Sequence, residues 1–475
     1  MKKAATTTWA EEEFAGAKLG DVRRTRRLVE IAAGVTRTPS GKVSKAFSET
    51  RAREGAYDLL ENVHVRTEQV ALAMYEAATA RAADAGIFAY VAVDGSSLNL
   101  TDRKRTKGFG RVGTDECGAR GMKVMNALCI DAKGVPIGLV DHQYWARAEP
   151  LIPGATRQEK AHHTRKRPFA EKEGIRFLEA ATNATERLAK AGVRAWIVID
   201  REGDNRGILS GLSSLSCDFT VRASWDRLIA DTTQERMPIR TYIMSQPVIG
   251  TYEVEVSRTG QRAARTAEMS VRVGTVELRL RDKIKKKEER LVTQVVWVRE
   301  TDASALAAGQ DALDWMLYTN VSVETKEQAL AVVQSYAFRW RIEEFHRTWK
   351  SGACNVEDTQ LRSVRAVTIW ATILAANAVR IERLKYLSRP EAPATLVLRP
   401  IEIETLISLR KKDRLPVPKG AVTIAVATKW VAELGGWISQ KNGPPGSITL
   451  FRGLDRLAQI TRGLERARQM GTARR

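Results

Sequence analysis

The order of apolar segments between residues 87 and 224 constrains the fold of this chain more than any other feature. IFAYVAVD is a short apolar run that ends in Asp94. KVMNALCID and VPIGLVDHQYW are two more strand-like runs, and the turn Ala132-Lys133-Gly134 between them predicts a hairpin. This part of the chain therefore predicts three strands in succession.

Helices and strands alternate in the segment that follows. AEKEGIRFLEAATNATERLAKAG has helical spacing, and RAWIVID is typical of a buried strand that ends in Asp200. NRGILSGLSS and CDFTVRAS supply another helix and another strand. The complete order, β-β-β-α-β-α-β, predicts an α/β fold with a ribonuclease-H-like core, which is a mixed sheet with helices on both faces.

Two aspartates end strands that are neighbours in such a core. The first and fourth strands lie side by side and parallel, so Asp94 and Asp200 are expected together at their carboxyl ends, where α/β sheets place their sites. An aspartate at a strand end is more often a turn or helix cap, and neither residue alone indicates a site. The pair is a candidate for catalysis.

A β insertion interrupts the core, and helical regions flank it. Period-two alternation predicts an antiparallel insertion at about 225–312, with RDKIKKKEER as a basic hairpin tip. Helical spacing predicts an all-α N-terminal domain, residues 1–66, in which Asp21 caps a helix. Residues 67–362 form the predicted catalytic domain, and residues 363–475 an all-α C-terminal domain. A longer helix, from roughly Thr67 to Ala85, is predicted to lead out of the N-terminal domain.

The charge of the chain points to a polyanionic partner. Lys and Arg number 77 against 56 Asp and Glu, which gives a formal net charge of +21. Such a surplus favours nucleic acid as the partner, although ribosome-associated and membrane-surface proteins are also basic. The arginines of LGDVRRTRRLVEIA give the N-terminal helices the size and charge of a DNA-binding head, although a solvated basic face would explain them too.

Membrane and secretory signals are lacking in the sequence. No run of eighteen apolar residues occurs, so no membrane partner is expected. The start MKKAATTTWAEEEF has no apolar segment and turns acidic at once. We therefore expect a cytoplasmic, bacterial-type location.

One helical segment, QSYAFRWRIEEFHRTWKSG, separates polar from apolar side chains. At about 100° per residue, Tyr336, Arg339, Glu343 and Lys350 fall within one arc of about 60°. Glu344 falls outside that arc, so Glu343 is the better candidate for a site. A surface helix with ordinary Arg–Glu pairs is the alternative interpretation.

The metal chemistry expected here depends on carboxylates. The cysteines form no CxxC pair and the histidines no zinc-binding spacing; His162 and His163 lie in a polar stretch predicted to be an exposed loop. Three clustered carboxylates would repel each other unless a cation lay between them. Oxygen donors favour Mg²⁺, with Mn²⁺ as a plausible substitute, and such ions assist in-line phosphoryl transfer.

The motifs resemble a known family. YAFRWRIEEFHRTWK looks like the Y-(2)-R-(3)-E-(6)-K signature of bacterial cut-and-paste DDE transposases, the insertion-sequence-four family. LGDVRRTRRLVEIA, REGAYDLLENVHV, VIDREGDN and ELGGW are also similar to segments of that family, in the same order. The resemblance extends over nearly the whole chain.

The resemblance implies roles for individual residues. Asp94, Asp200 and Glu343 match the catalytic, metal-binding triad of a DNA transposase. Such enzymes nick transposon ends, form and reopen a DNA hairpin, and join the ends to target DNA. The positions that match DNA-contacting residues are Tyr336, Arg339, Lys350, Trp315, Arg222 and Arg27.

The family pattern carries further implications. Trp315 matches the indole that stacks on a base flipped out of the duplex, although plain core packing is the alternative. Ser224 stands where the family has a lysine, which puts one phosphate contact in doubt. The partners implied are double-stranded DNA, as terminal repeats and target, and a second copy of the chain in a homodimer.

Two other functions use the same residues. An inactive DNA binder would act as a repressor, and a structure-selective nuclease would keep the acidic site without recognising an end sequence. The intact set of Asp94, Asp200 and Glu343 favours an enzyme.

Overall fold

The computed structural model divides the chain into two compact units. Unit 1 comprises Met1–Gly86, Gly95–Glu149 and Arg341–Arg475, and unit 2 comprises Ile87–Asp94 and Pro150–Trp340. The residues that the structure describes are 8–102, 104–113, 118–147, 156, 158–159, 166–230, 236–256, 264–282, 287–301, 311–387, 393–396, 398–438 and 445–472.

Parallel strands form the centre of unit 2. β1 (Phe88–Asn99) pairs in parallel with β5 (Arg194–Ile199), in register from Phe88 opposite Arg194 to Val93 opposite Ile199. β6 (Asp218–Arg222) pairs in parallel with the other edge of β5. The predicted parallel pairing of the first apolar run with the strand before Asp200 is confirmed.

The β insertion extends the same sheet of unit 2 with antiparallel strands. From β6 the order continues through β12 (Asp314–Thr319), β11 (Lys287–Glu300), β10 (Arg265–Asp282) and β9 (Val248–Val256). The antiparallel pairing predicted for the insertion is confirmed. Residues 283–286 at the predicted basic tip, and His162 and His163, lie outside the described residues.

Helices cover the sheet of unit 2. α6 (Ile175–Lys190) packs on β5, and α9 (Lys326–Phe338) packs on β5, β6, β11 and β12. The core under α9 contains Val198, Val296, Leu317 and Val332, none more than 1 % exposed. Apolar burial of this kind is the main stabilising contribution to the sheet-and-helix layers.

Unit 1 contains a hairpin and its helical cover. β3 (Arg120–Ile130) and β4 (Pro136–Trp145) pair antiparallel, and the end of β1 lies beside β3, where the amide of Leu100 donates to the carbonyl of Arg120 at 2.8 Å. Gly134 at the turn has φ 81°, a backbone conformation that favours glycine. α5 (Thr67–Ala85) and α11 (Val364–Leu387) pack on β4. The predicted hairpin and the predicted helix over 67–85 are confirmed.

Short helices precede α5 in unit 1. The carboxylate of Asp21 accepts a hydrogen bond from the amide of Arg23 at 2.8 Å, which confirms its prediction as an N-cap. The domain boundaries predicted at 66 and 362 remain predictions. The other elements are α1 Trp9–Phe14, α2 Val22–Arg37, α3 Val43–Ala46, α4 Thr50–Leu60, β2 Gly110–Arg111, α7 Arg206–Ser213, β7 Leu228–Ala230, β8 Arg236–Pro238, α8 Ile239–Ser245, α10 Trp340–Lys350, α12 Pro400–Lys412, α13 Ile424–Leu434 and α14 Ser447–Thr472.

Helix α11 is long and apolar enough to cross a membrane by length and composition alone. A stretch of 18 residues within α11 has a mean hydropathy of 1.3, and 83 % of that stretch is buried inside the protein. The indole of Trp370 on α11 donates to the carbonyl of Gly41 at 2.8 Å. This burial is typical of a core helix, so the feature is weak evidence for a membrane span.

Candidate active site

Asp94 and Asp200 occupy equivalent positions on neighbouring strands of unit 2. Each follows the last registered pair of β1 and β5, Val93 opposite Ile199. Adjacent strands lie about 4.8 Å apart, so the two residues are neighbours at one edge of the sheet. The prediction that β1 ends at Asp94 is wrong, because the strand continues to Asn99; only its pairing with β5 stops there.

The backbone after Asp200 turns sharply. The Asp200 carboxylate accepts a hydrogen bond from the amide of Glu202 at 2.8 Å and caps the 3₁₀ turn Arg201–Gly203. A Cβ on Gly203 would lie 2.8 Å from Ile199, so a larger residue would push the turn off the strand. The DREG sequence therefore fixes Asp200 at the strand end.

A buried arginine lies beside Asp94. Nη1 of Arg339 is 3.9 Å from an Asp94 carboxylate oxygen, with the Arg339 side chain 9 % exposed and that of Asp94 18 % exposed. The same guanidinium lies over the ring of Tyr336, 5.6 Å from its centroid. Arg339 thus links Asp94 to an aromatic cluster within unit 2.

Tyr336 is the centre of that cluster. Nη1 of Arg222 lies 3.4 Å from its hydroxyl and donates to it, and Nη2 of Arg222 donates to the carbonyl of Asp314 at 3.1 Å. The ring of Trp315 meets that of Tyr336 edge-on at 5.2 Å. The structure therefore brings together four residues that the sequence assigned to DNA contacts: Tyr336, Arg339, Arg222 and Trp315.

The segment predicted as one helix is divided in two at Arg339. α9 ends at Phe338 and α10 begins at Trp340, and the amide of Arg339 donates to the carbonyl of Tyr336 in a tighter, i to i+3 turn. Arg339 itself has helical dihedral angles, φ −50° and ψ −33°. The single polar arc predicted from Tyr336 to Lys350 has members in both units and stays a prediction.

Glu343 and Lys350 lie on α10 in unit 1. Glu343 is half-buried, and Lys350 Nζ is 3.8 Å from a carboxylate oxygen of Glu357. Glu357 also accepts a hydrogen bond from the amide of Asn99 at 2.8 Å. The structure thus gives Lys350 an acidic partner that the sequence did not indicate.

Glu344 is held by neighbouring side chains of unit 1. The sequence had favoured Glu343 over Glu344 as the site residue. Its carboxylate lies 2.6 Å from Nζ of Lys385 and accepts a hydrogen bond from the hydroxyl of Tyr386. The guanidinium of Arg341 lies 3.5 Å from it. Burial, together with this neighbouring carboxylate, raises the pKa of Tyr386. Glu344 therefore ties α10 to α11.

Arg27 lies on α2 in unit 1. It pairs with Glu30 at 2.9 Å, and a Cβ on Gly55 of α4 would lie 2.9 Å from its guanidinium carbon. Its side chain is 40 % exposed. The glycine lets the guanidinium lie flat on α4 while one side stays open to solvent.

A buried polar chain in unit 1 was missed by sequence reasoning. Nδ2 of Asn126 is 2.8 Å from Nε2 of His346 on α10, and the Asn126 side-chain carbonyl accepts from Nδ1 of His142. Nε2 of His142 is 2.5 Å from the hydroxyl of Tyr144. Burial, with His346 nearby, lowers the pKa of His142 to about 3. This hydrogen-bonded network links α10 to the β3–β4 hairpin.

Asp204 is a second residue that the sequence did not single out. Its fully buried carboxylate pairs with Arg227 at 2.5 Å and accepts from the amides of Ser224 and Trp225 at 2.7 and 3.1 Å. Burial raises the pKa of neighbouring Tyr318, and Asp204 adds to that rise. The motif DREGDN was the only sequence signal for this role.

The two aspartates are the acidic pair that the sheet brings together. Among the residues that the structure describes, no three His, Cys, Asp or Glu side chains are grouped closely enough to hold a metal ion. Glu343 belongs to the other unit, and its convergence with Asp94 and Asp200 stays a prediction.

The sheet and its paired aspartates define a class of protein. A mixed α/β sheet with two aspartates side by side at the ends of parallel strands, flanked by a helical N-terminal region, is consistent with the ribonuclease-H-like core of DDE enzymes that act on DNA.

Comparison with protein families agrees with this class. Residues 6–65 match the family described as transposase DNA-binding, and residues 175–379 match the family described as transposase DDE domain. The second match includes Asp200 and Glu343, and Asp94 precedes it. The chain therefore carries both domains of a DDE transposase, with DNA as its partner.

Proposed function

We propose that this protein is a cut-and-paste DNA transposase of the insertion-sequence-four type. Its N-terminal helices bind the terminal repeats of an element, and Asp94, Asp200 and Glu343 form its catalytic triad. The observation that carries the proposal is the parallel register of β1 and β5, which sets Asp94 beside Asp200. The transposase domain matches and the net charge of +21 support it.

The donor chemistry fits a divalent metal ion. Asp94 and Asp200 offer hard carboxylate oxygens on adjacent strands, the ligand type that Mg²⁺ prefers, and Mn²⁺ would substitute for it. Asp94, Asp200 and Glu343 would hold the ions. When bound, the ions would supply positive charge to the reacting phosphate and lower the pKa of the attacking hydroxyl group.

The reaction begins with hydrolysis of one strand. A water oxygen forms a bond to phosphorus, the bond to O3′ breaks, and a 3′-hydroxyl and a 5′-phosphate remain. The guanidinium groups of Arg339 and Arg222 and the hydroxyl of Tyr336 would hold the phosphate oxygens, because they form one cluster next to Asp94.

Later steps use the new 3′-hydroxyl as the nucleophile. It attacks a phosphorus of the opposite strand and forms a hairpin bond, while the bond to O3′ of the flanking DNA breaks and the flanking DNA leaves with a 3′-hydroxyl. Water then attacks that phosphorus and the hairpin bond breaks, which restores the 3′-hydroxyl of the element and leaves a 5′-phosphate. The restored 3′-hydroxyl attacks a phosphorus of target DNA, and the target's O3′ leaves as a 3′-hydroxyl. Trp315 would receive the base that flips out of the hairpin. Its ring is half-buried and supported edge-on by Tyr336, so it offers a pre-positioned aromatic surface.

The remaining contacts are also proposals. Arg27 would contact the terminal repeat, since its side chain is partly open to solvent on α2. Lys350 would contact a phosphate near Glu343. The C-terminal helices would pair two protomers into a homodimer that holds two ends, in the cytoplasm of a bacterial cell.

The test is cleavage of DNA that carries the inverted repeats flanking the gene. The wild-type chain should cut these ends with Mg²⁺ and not with EDTA, and Asp94→Ala and Asp200→Ala should bind them normally without cutting. Asp218→Ala is the matched control, because Asp218 begins β6 at the opposite edge of the sheet.

Two outcomes would reject the proposal. Tight binding with no cleavage by the wild-type chain would indicate an inactive DNA binder. Equal cleavage of end DNA and scrambled duplex at the same salt concentration would indicate a structure-selective nuclease.

A further inference from the structure

A large aromatic side chain is exposed beside the candidate active site. Trp225 follows β6 in unit 2, and 65 % of its surface is open to solvent. Indoles are usually largely buried, because their apolar area is large. An exposed indole close to a candidate active site is a candidate binding surface.

The backbone under Trp225 is held rigidly. The carboxylate of Asp204 accepts hydrogen bonds from the amides of Ser224 and Trp225, and its ion pair with Arg227 closes the segment on the other side. The Asp204 side chain is 0 % exposed, so this clamp is shielded from water. Trp225 is thus an exposed ring on a fixed support.

The clamp also sets the position of Trp225 relative to Asp200. The hydroxyl of Ser224 donates to the carbonyl of Arg201 at 2.7 Å, and Arg201 follows Asp200 directly. β6 runs parallel to β5, with Ile199 opposite Val221. Trp225 therefore lies at the edge of the sheet that bears the two aspartates.

A nucleic acid is the partner that fits this segment, because the chain carries a transposase DNA-binding domain and a net charge of +21. Arg222 and Arg201 are the cations near Trp225, along the chain and through the Ser224 hydrogen bond, whereas Arg227 is paired with Asp204. Asp226 and Glu202 are acidic neighbours, so stacking on the exposed ring is the main contribution expected here. Proteins bind unpaired nucleotides by stacking bases on such rings while cations hold the phosphates.

We propose that Trp225 stacks on an unpaired nucleobase of the bound DNA, as a platform separate from Trp315. The inference rests on the proposed function and adds a contact to it. The two rings differ in environment: Trp315 is half-buried against the core and Tyr336, whereas Trp225 stands open on its clamp.

The test uses the full-length chain in EDTA, so that binding is measured without cleavage. End DNA carries 2-aminopurine at single unpaired positions near the cleavage site, and its fluorescence falls when the base stacks on an aromatic ring. Wild type should quench one of these positions. Trp225→Ala should lose that quenching and bind the unpaired end roughly tenfold more weakly, with fully paired DNA bound as before.

Two variants separate stacking from a structural role. Trp225→Phe should keep most of the quenching, because it preserves an aromatic face. Met244→Ala removes another exposed apolar side chain of unit 2, 57 % exposed, and should behave as wild type. Unchanged quenching and unchanged affinity of Trp225→Ala would overturn the inference. It would also be overturned if Trp225→Ala retained the quenching but lost self-association in sedimentation, because Trp225 would then contact a second copy of the chain instead of DNA.

Failure of the proposed function gives a different result. If wild type quenches 2-aminopurine through Trp225 yet cuts no ends with Mg²⁺, the stacking site is supported and the proposed transposase activity is rejected. If wild type cuts ends and Trp225→Ala quenches normally, only the proposed stacking site is rejected.

Discussion

Arg339 and Asp94 face each other at 3.9 Å, with both side chains largely buried. The arginine lies between α9 and α10, and the aspartate lies on β1 directly after its last pair with β5. A buried cation next to a carboxylate reduces repulsion between acidic groups at this edge before any cation or DNA arrives. The same guanidinium is placed to meet a phosphate.

Replacing Arg339 should therefore impair cleavage more than binding. We expect Arg339→Ala to lower the single-turnover rate of end cleavage at least about tenfold, since a charged contact to a phosphate is lost. Band-shift affinity for end DNA should change little. Lys190→Ala is the control, because Lys190 ends α6 near the start of β5, at the far edge of the sheet. A cleavage rate equal to that of wild type would contradict this role.

Glu343 and Glu344 should respond oppositely to the same substitution. Glu344→Gln should lower the free energy of unfolding by about 2–3 kcal/mol, because it breaks a buried contact with Lys385 and Tyr386. Glu343→Gln should abolish cleavage, because an amide is a poorer ligand for Mg²⁺ than a carboxylate. Urea unfolding followed by circular dichroism, beside the cleavage assay, measures both. Reversal of the two phenotypes would assign the catalytic role to Glu344.

The Asp204 clamp should contribute strongly to stability. Asp204→Ala leaves Arg227 without its buried partner and frees two amides, so we expect a loss of about 3 kcal/mol or more in the free energy of unfolding. Arg290→Ala, which removes an exposed pair with Glu277, should cost about 1 kcal/mol or less. Chemical denaturation of both variants measures the two free energies of unfolding. Equal losses in the two variants would show that the Asp204 clamp contributes no more to stability than an exposed ion pair.

Stability should fall in mild acid because of His142. Its pKa is about 3 in the folded chain against an ordinary 6.5, so below pH 6.5 the unfolded state binds a proton that the folded state refuses. Stability is therefore complete above pH 6.5 and declines as the pH falls toward 3. The groups facing the ring are Asn126, Tyr144, His346 and Trp349.

Urea unfolding at pH 7 and pH 5 tests this directly. Wild type should lose about 2 kcal/mol over that interval from this group. His142→Gln should be less stable at pH 7 but lose less on acidification. An equally steep loss in the variant would assign the acid sensitivity to other groups.

The sequence by itself determined the local elements and the two strand-borne acids. Asp21 could be identified as a cap and residues 67–85 as a helix because capping and apolar periodicity are short-range effects. The parallel pairing of β1 with β5 followed from the order of elements, because few topologies accommodate that order.

Only the tertiary structure decided which side chains meet. The contact of Arg339 with Asp94 was hidden from the sequence, because the two residues are far apart along the chain. The contact of Arg222 with Tyr336 joins residues 114 positions apart, and the Asp204 clamp joins segments about twenty residues apart. Such contacts depend on how sheets and helices pack, and the local sequence pattern does not predict that packing.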